Sequence, residues 1–208
     1  MFISPSAASG DVLNLEAEVR FAEEHFAHVH IDVEDGVYLH NISFGFKTAQ
    51  RICESTGAYK SLHLMLHDPA AWIREVSQCK ADIVFVHVDH LPDPAEVLFR
   101  YKEAGINVGL GLSGRDLENK RGLDYRPVLA AVSEVIILTA RIDDPAQGYD
   151  GHLQEYAKGF CASHAVWVDG GISADQFPDL KALGVTGVVM GRDIFNNKKA
   201  CLAYKGLL

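Results

Sequence analysis

The stretch Val29-His30-Ile31-Asp32-Val33-Glu34-Asp35-Gly36 decides how the rest of the chain is read. As a β-strand, its two-residue period places Val29, Ile31 and Val33 on one face and His30, Asp32 and Glu34 on the other. The apolar face asks to be buried. A titratable face of this kind has two physical outcomes. Either it is solvated on an edge strand, or it is buried and compensated, because an unpaired buried charge costs several kcal/mol. A divalent metal is the usual compensating group.

Outward from this strand, short apolar segments alternate with helical patterns along the whole chain. Strands are expected at Phe2 to Ser6, His28 to Val33, Ser61 to Met65, Asp82 to His87, Asn107 to Gly111, Glu134 to Leu138, Ala165 to Val168 and Gly187 to Met190. Between them lie helical stretches from Asp11 to His25, Lys47 to Ser55, Pro69 to Cys79, Pro94 to Ala104, Tyr125 to Val132, Leu153 to Ala162 and Ser173 to Leu183. A last helix begins near Arg192. The first of these shows Leu13, Leu15, Val19, Phe21 and Ala22 as its apolar side. Strand–helix alternation implies a parallel sheet with right-handed crossovers. Eight such units in 208 residues predict a single-domain (β/α)8 TIM barrel spanning residues 1–208.

Bulk properties exclude several functions. The net charge is −9, which argues against nucleic acid or an anionic membrane surface as partner. A small anion remains compatible, since a local site can be positive on an acidic protein. No apolar run approaches the roughly 18 residues of a membrane span, and the N-terminal segment lacks a signal-peptide pattern. Cys53, Cys79, Cys161 and Cys201 show no paired spacing and read as reduced thiols of a cytoplasmic protein.

Chemistry in a parallel barrel gathers where strands end. His30 and Asp32 on the second strand, His63 on the third and Asp169 after the seventh all fall at that end. Two imidazoles and two carboxylates suit one divalent transition metal, zinc, iron, manganese or cobalt. Magnesium and calcium prefer oxygen-only shells. Val168-Asp169-Gly170-Gly171-Ile172-Ser173, together with Gly191 and Arg192 after the eighth strand, reads either as an anion-accepting loop pair or as a tight turn that needs glycine.

With these residues located, the chain resembles the ribulose-phosphate 3-epimerase family over essentially its full length. The resemblance is carried by Ile3-Ser4-Pro5-Ser6, by His30-x-Asp32-x-x-Asp35-Gly36, by His63-Leu64-Met65 and by Val168-Asp169-Gly170-Gly171-Ile172. It implies a metal held by His30, Asp32, His63 and Asp169, with Asp32 and Asp169 as the acid/base pair that inverts C3 of a ketose phosphate through a metal-stabilised enediolate. It implies further that Ser6 and Met65 contact the substrate, with Gly170, Gly171, Gly191 and Arg192 around its phosphate. The expected partners are a small phosphorylated sugar and further copies of the chain, because relatives of this kind are often homo-oligomers. The apolar tail Leu202, Ala203, Tyr204, Leu207 and Leu208 offers either an interface or a closure for the barrel.

The chain departs from the family pattern around the substrate. Glu34 replaces a Met and is expected to raise the pKa of Asp32 unless it is protonated or paired. The loop from Leu138 to Gly151 replaces a glycine-rich phosphate grip. Gly148 and Gly151 could echo that grip, whereas Asp143, Asp144 and Asp150 bring negative charge that Arg141 could partly offset. Ser113-Gly114-Arg115-Asp116 and Tyr38-Leu39-His40-Asn41 also stand in for family segments. Arg192 replaces a Ser, and Gly191-Arg192 looks more like the related hexulose-phosphate synthase and keto-gulonate-phosphate decarboxylase branch, whose Asp-x-Lys-x-x-Asp motif is absent. Glu34, Arg141 and Gly148 are therefore the candidate specificity positions. Rival readings are a lyase or decarboxylase on the same scaffold and a non-catalytic sugar-phosphate-binding paralogue.

Overall fold

A computed structural model describes residues 1–118, 124–142 and 148–207, with the side chain of Lys205 excepted. Asp143, Asp144 and Leu208 lie outside the described residues.

Eight parallel strands form one sheet: β1 (Phe2–Pro5), β2 (His28–Glu34), β3 (Tyr59–Met65), β4 (Ile83–His87), β5 (Val108–Leu112), β6 (Glu134–Leu138), β7 (Ala165–Asp169) and β8 (Gly187–Met190). Their lateral order is β1-β8-β7-β6-β5-β4-β3-β2. Ser6 pairs with His30 across the remaining gap, so the sheet curls into a nearly closed (β/α)8 barrel. The expected strands are all present. β2 and β3 are longer than the sequence suggests, and β7 includes Asp169.

Helices cover the outside: α1 (Leu15–Phe26), α2 (Phe46–Ser55), α3 (Ile73–Cys79), α4 (Pro94–Glu103), α5 (Gly114–Leu117), α6 (Arg126–Leu129), α7 (Gly151–Gln154), α8 (Ala157–Phe160), α9 (Phe177–Leu183), α10 (Arg192–Phe195) and α11 (Lys198–Cys201). Side-chain caps set several starts. Asp93 accepts from the Glu96 amide ahead of Pro94, and Ser113 and Asp116 form a reciprocal capping box on α5. Four expected helices are corrected, among them Ser173 to Leu183, which opens as a 3-10 turn (Ala174–Gln176) before α9. Asp11 caps a separate 3-10 turn (Val12–Asn14) that leaves Leu13 exposed rather than on the apolar side. Pro69–Trp72 is likewise a 3-10 turn before α3, and Leu153 to Ala162 is split between α7 and α8.

Strand periodicity divides two cores. Residues facing outward, such as Val29, Ile31, Val33, Leu62, Leu64, Val84 and Val86, pack beneath the helices. Facing inward, Ile83, Phe85, Ile136, Trp167 and Val189 form a separate plug beneath the cavity, which Val189 also lines, completed by Phe2 and Tyr59. Phe2 stacks on His28 with centroids 4.3 Å apart, and Trp167 meets Phe2 edge-on. This plug fills one end of the barrel, and the polar inward residues occupy the other. In the C-terminal tail Tyr204 packs edge-on against Phe177, while Leu202 and Leu207 stay exposed. Among the described residues, no helix is long and apolar enough to cross a membrane.

Candidate active site

The ladder register brings the polar residues together. β2 and β3 pair Asp32 with His63, and β6 and β7 pair Leu138 with Asp169. Thr139 holds the end of β7, its hydroxyl donating to the carbonyls of Asp169 and Gly170 at 2.7 and 2.8 Å. The titratable face of β2 is buried, which rules out the solvated edge-strand outcome.

Four donor atoms converge: His30 Nε2, Asp32 Oδ1, His63 Nδ1 and Asp169 Oδ2. Both rings are fully buried. His63 Nδ1 lies 3.0 Å from Asp169 Oδ2, 3.3 Å from Asp32 Oδ1 and 3.4 Å from His30 Nε2. His30 Nε2 lies 3.2 Å from Asp32 Oδ1 and 3.7 Å from Asp169 Oδ2. Metal–ligand bonds near 2.0–2.2 Å set the donors of a tetrahedral shell roughly 3.3–3.6 Å apart, so the spacing fits a small divalent ion. Asp32 Oδ1 is buried and makes no hydrogen bond, an orphan of the kind a cation would satisfy. The other oxygen, Oδ2, accepts from Ser6 Oγ at 2.5 Å. Ser61 Oγ meets His30 Nδ1 at 2.7 Å, leaving Nε2 free to face the cluster.

Electrostatics separate the acids. Burial works against ionising Asp32, yet the His30 and His63 rings hold its carboxyl far below the usual carboxylate range. His63, although buried, is pushed up to about 9 by its contacts with Asp169 and Asp32. Glu34 is buried in the cavity wall and accepts from Asn41 Nδ2 at 2.6 Å. Burial and the nearby Asp32 charge push its carboxyl up to about 7. The condition attached to Glu34 is met: it is paired with Asn41, and the upward shift falls on Glu34 itself while Asp32 stays low.

Beside the cluster opens a cavity of about 1010 Å³. Ser6, Asp32, Glu34, Met65, Arg141, Asp169, Gly170, Gly171, Gly191 and Arg192 all line it, so the structure brings these candidates to one space. Arg141 is half spoken for, with its Nε 2.6 Å from Asp150 Oδ2 and a terminal nitrogen 3.1 Å from Glu118 Oε1. Gly148 stands apart from the lining and packs its backbone against Gly171. Gly170 and Gly171 have φ of +113° and +69°, and a Cβ on either would overlap the backbone of Ala140 or Tyr149. The tight turn thus requires glycine, whatever else the loop does.

Three residues escaped the sequence reading. Nothing in its strand sets Ser61 apart, and His87 and Asp89 respectively close and follow a strand that reads as plainly apolar. His87 Nε2 lies 2.9 Å from His63 Nε2. The only local signal was a histidine closing β4 at the same barrel end as His63.

Comparison with known proteins gives first the class and then the family. The structure of phosphoribosyl anthranilate isomerase from Thermus thermophilus aligns with a TM-score of 0.67 at 12% identity, covering 100% of this chain and 99% of that one. At that identity it shows the barrel fold. The sequence profile of the ribulose-phosphate 3 epimerase family matches residues 2–195, and the chain belongs to that family of carbohydrate isomerases. Similar proteins include ribulose-phosphate 3-epimerase of Helicobacter pylori, 25% identical over 100% of this chain and 96% of its own length. The cytoplasmic isoform of ribulose-phosphate 3-epimerase from rice is 25% identical over 93% of this chain and 86% of its own.

Proposed function

We propose that the protein is a metal-dependent 3-epimerase of a ketose phosphate, of the ribulose 5-phosphate/xylulose 5-phosphate type or acting on a related phosphorylated ketose. The observation that carries this is the convergence of His30, Asp32, His63 and Asp169 at the wall of the cavity. These four would hold one divalent transition metal, zinc, iron, manganese or cobalt. When bound, it supplies positive charge beside the substrate's carbonyl and hydroxyl oxygens, which stabilises the enediolate left after C3 loses its proton.

The chain's own residues do the rest. Asp32 and Asp169 reach the cavity from β2 and β7, on either side of β1 and β8. That separation suits removal of the C3 proton from one face and return from the other. Ser6 orients Asp32 by donating to Oδ2, and its place in the lining supports a second role against the substrate. Met65 adds a soft apolar wall. Gly170, Gly171, Gly191 and Arg192 would receive the phosphate, a role supported by their shared lining of the cavity. Glu34 and Arg141 replace an apolar residue and part of a glycine-rich loop with charged groups that line the cavity, and they would set which ketose phosphate fits. A cytoplasmic location and assembly of the single-domain chain into a homo-oligomer belong to the same proposal. The first is supported by four free thiols and the second by the exposed Leu202 and Leu207 of the tail.

The test is solvent deuterium incorporation at C3 of D-ribulose 5-phosphate, followed by NMR with the metal-loaded protein. Exchange with formation of the xylulose epimer is expected, and Asp32→Asn and Asp169→Asn should each abolish it with the fold retained. Near wild-type exchange in either variant would remove that residue from the acid/base pair. Cleavage or decarboxylation products in place of the epimer would assign a lyase.

A further inference from the structure

Each histidine of the cluster has its second nitrogen engaged. His30 turns Nδ1 to Ser61, while His63 turns Nε2 to another imidazole, that of His87, at 2.9 Å. His87 closes β4 on the inner face and is fully buried. Its ring stacks on His63 with centroids 5.0 Å apart and planes 30° apart. The Tyr38 ring lies 5.0 Å away. The ladder partner of His87 on β5 is Gly111, and a Cβ there would come within 2.8 Å of His87 Cδ2 and Nε2. The ring is clamped, and a side chain is withheld from β5 to make room for it.

Two ring nitrogens at this distance need one N–H and one lone pair between them. A neutral imidazole that gives Nδ1 to a metal keeps its proton on Nε2. His63 must then donate, His87 must accept at Nε2, and the proton of His87 must sit on Nδ1. We propose that His87 is a positioning residue for His63: the imidazole–imidazole hydrogen bond selects the tautomer and orientation in which His63 can ligate, and so sets how tightly the site holds its metal. This rests on the metal-dependent reading above.

The far side of His87 supports that proton arrangement. Nδ1 is buried and makes no hydrogen bond, and donor atoms of His87, Asp89 and Asp116 lie within 4.8 Å of one another. Carboxylates at that range favour a proton on the facing nitrogen. The same trio has the composition of a second metal site, but the relay speaks against one. An ion on His87 Nδ1 would drive the proton to Nε2 and set two N–H groups head to head at 2.9 Å.

The experiment measures zinc affinity by competition with a chromophoric chelator, for wild type, His87→Leu and His87→Gln. Leu removes the acceptor. The Gln carbonyl can still accept from His63. Zinc binding is expected to weaken about 10- to 100-fold in His87→Leu, the usual loss for an outer partner of a metal-bound histidine, and to stay within a few-fold of wild type in His87→Gln. Equal loss in both variants, or no loss in His87→Leu, overturns the role. Long-range 1H–15N spectra of zinc-loaded wild type need no variant to fold. They should show His63 protonated at Nε2 and His87 at Nδ1, and a proton on His87 Nε2 overturns the proposal. Wild type that binds no zinc, iron, manganese or cobalt would overturn the metal-dependent reading and this inference together. Bound metal with an unchanged His87→Leu overturns this inference alone.

Discussion

Asp32 and Glu34 stand two residues apart on the inner face of β2, and their surroundings drive them in opposite directions. Asp32 has two imidazoles and the Ser6 hydroxyl to satisfy its charge. Glu34 has the Asn41 amide and faces Asp32, so an extra proton in this pair resides on Glu34. A carboxyl lining the cavity still repels a phosphorylated, enediolate-forming substrate in its ionised fraction. Glu34→Met is therefore expected to lower KM for D-ribulose 5-phosphate roughly three- to tenfold, the worth of about 0.7–1.4 kcal/mol for one partly screened charge, with kcat changed less. An unchanged KM in steady-state kinetics would mean that Glu34 does not meet the substrate. Gly111 makes the complementary prediction. Gly111→Ala puts a methyl against the His87 ring, so overpacking should cost about 1–3 kcal/mol in urea unfolding. Zinc affinity should fall alongside, because the group displaced is the one that holds His63.

At the scale of elements, the β5–α5 turn carries a titration of its own. Asp116 caps α5, accepting from the Ser113 amide at 2.6 Å and from the Tyr125 hydroxyl. Burial and the facing Asp89 carboxylate nevertheless push it up to about 6, from a reference of 3.8. The folded state thus binds a proton between these values that the unfolded chain releases. Stability should fall as pH rises from about 4 to 6, by roughly 3 kcal/mol at most. Asp116→Asn, which keeps an accepting oxygen, should flatten that decline in denaturant titrations across the range, and an undiminished slope would place the titrating group elsewhere. The elements themselves were legible to different degrees. β6 and β8 match their expected bounds because a continuous apolar run between turn residues leaves little choice. The helical stretches were less readable. Asp11 and Pro69 look like helix starts and instead lead into 3-10 turns, and the first of these shifts turns Leu13 from an apolar-face residue into an exposed one. The four cluster residues were visible because each sits at a strand end in a recognisable motif. His87 was not, since nothing local distinguishes a histidine that ends an apolar strand. Its role comes from a neighbour 24 residues away and from the missing side chain at Gly111 on the next strand.

Over the whole molecule, the barrel has one weak seam. Seven of the lateral pairings are continuous ladders, whereas β1 and β2 meet through the Ser6–His30 bridge and the Ser6–Asp32 hydrogen bond. The candidate metal ligands straddle that seam, with His30, Asp32 and His63 on β2 and β3 and Asp169 on β7. One ion would therefore cross-link the two sides of the gap and neutralise carboxylates that otherwise face each other in a buried space. Binding to the folded state alone adds RT ln(1 + [M]/Kd), about 2.7 kcal/mol at a hundredfold excess over Kd, or about 5–11 °C in Tm for a chain of this size. Chelation should reverse the shift. Amide exchange should locate it, with protection gained on metal binding in Val29–Val33 and Val166–Val168 and little change in β4 and β5, whose ladders are complete without an ion. A uniform gain across all eight strands would show the ion stabilising the fold globally rather than bracing the seam, and a Tm indifferent to chelator would remove the metal from the structural argument altogether.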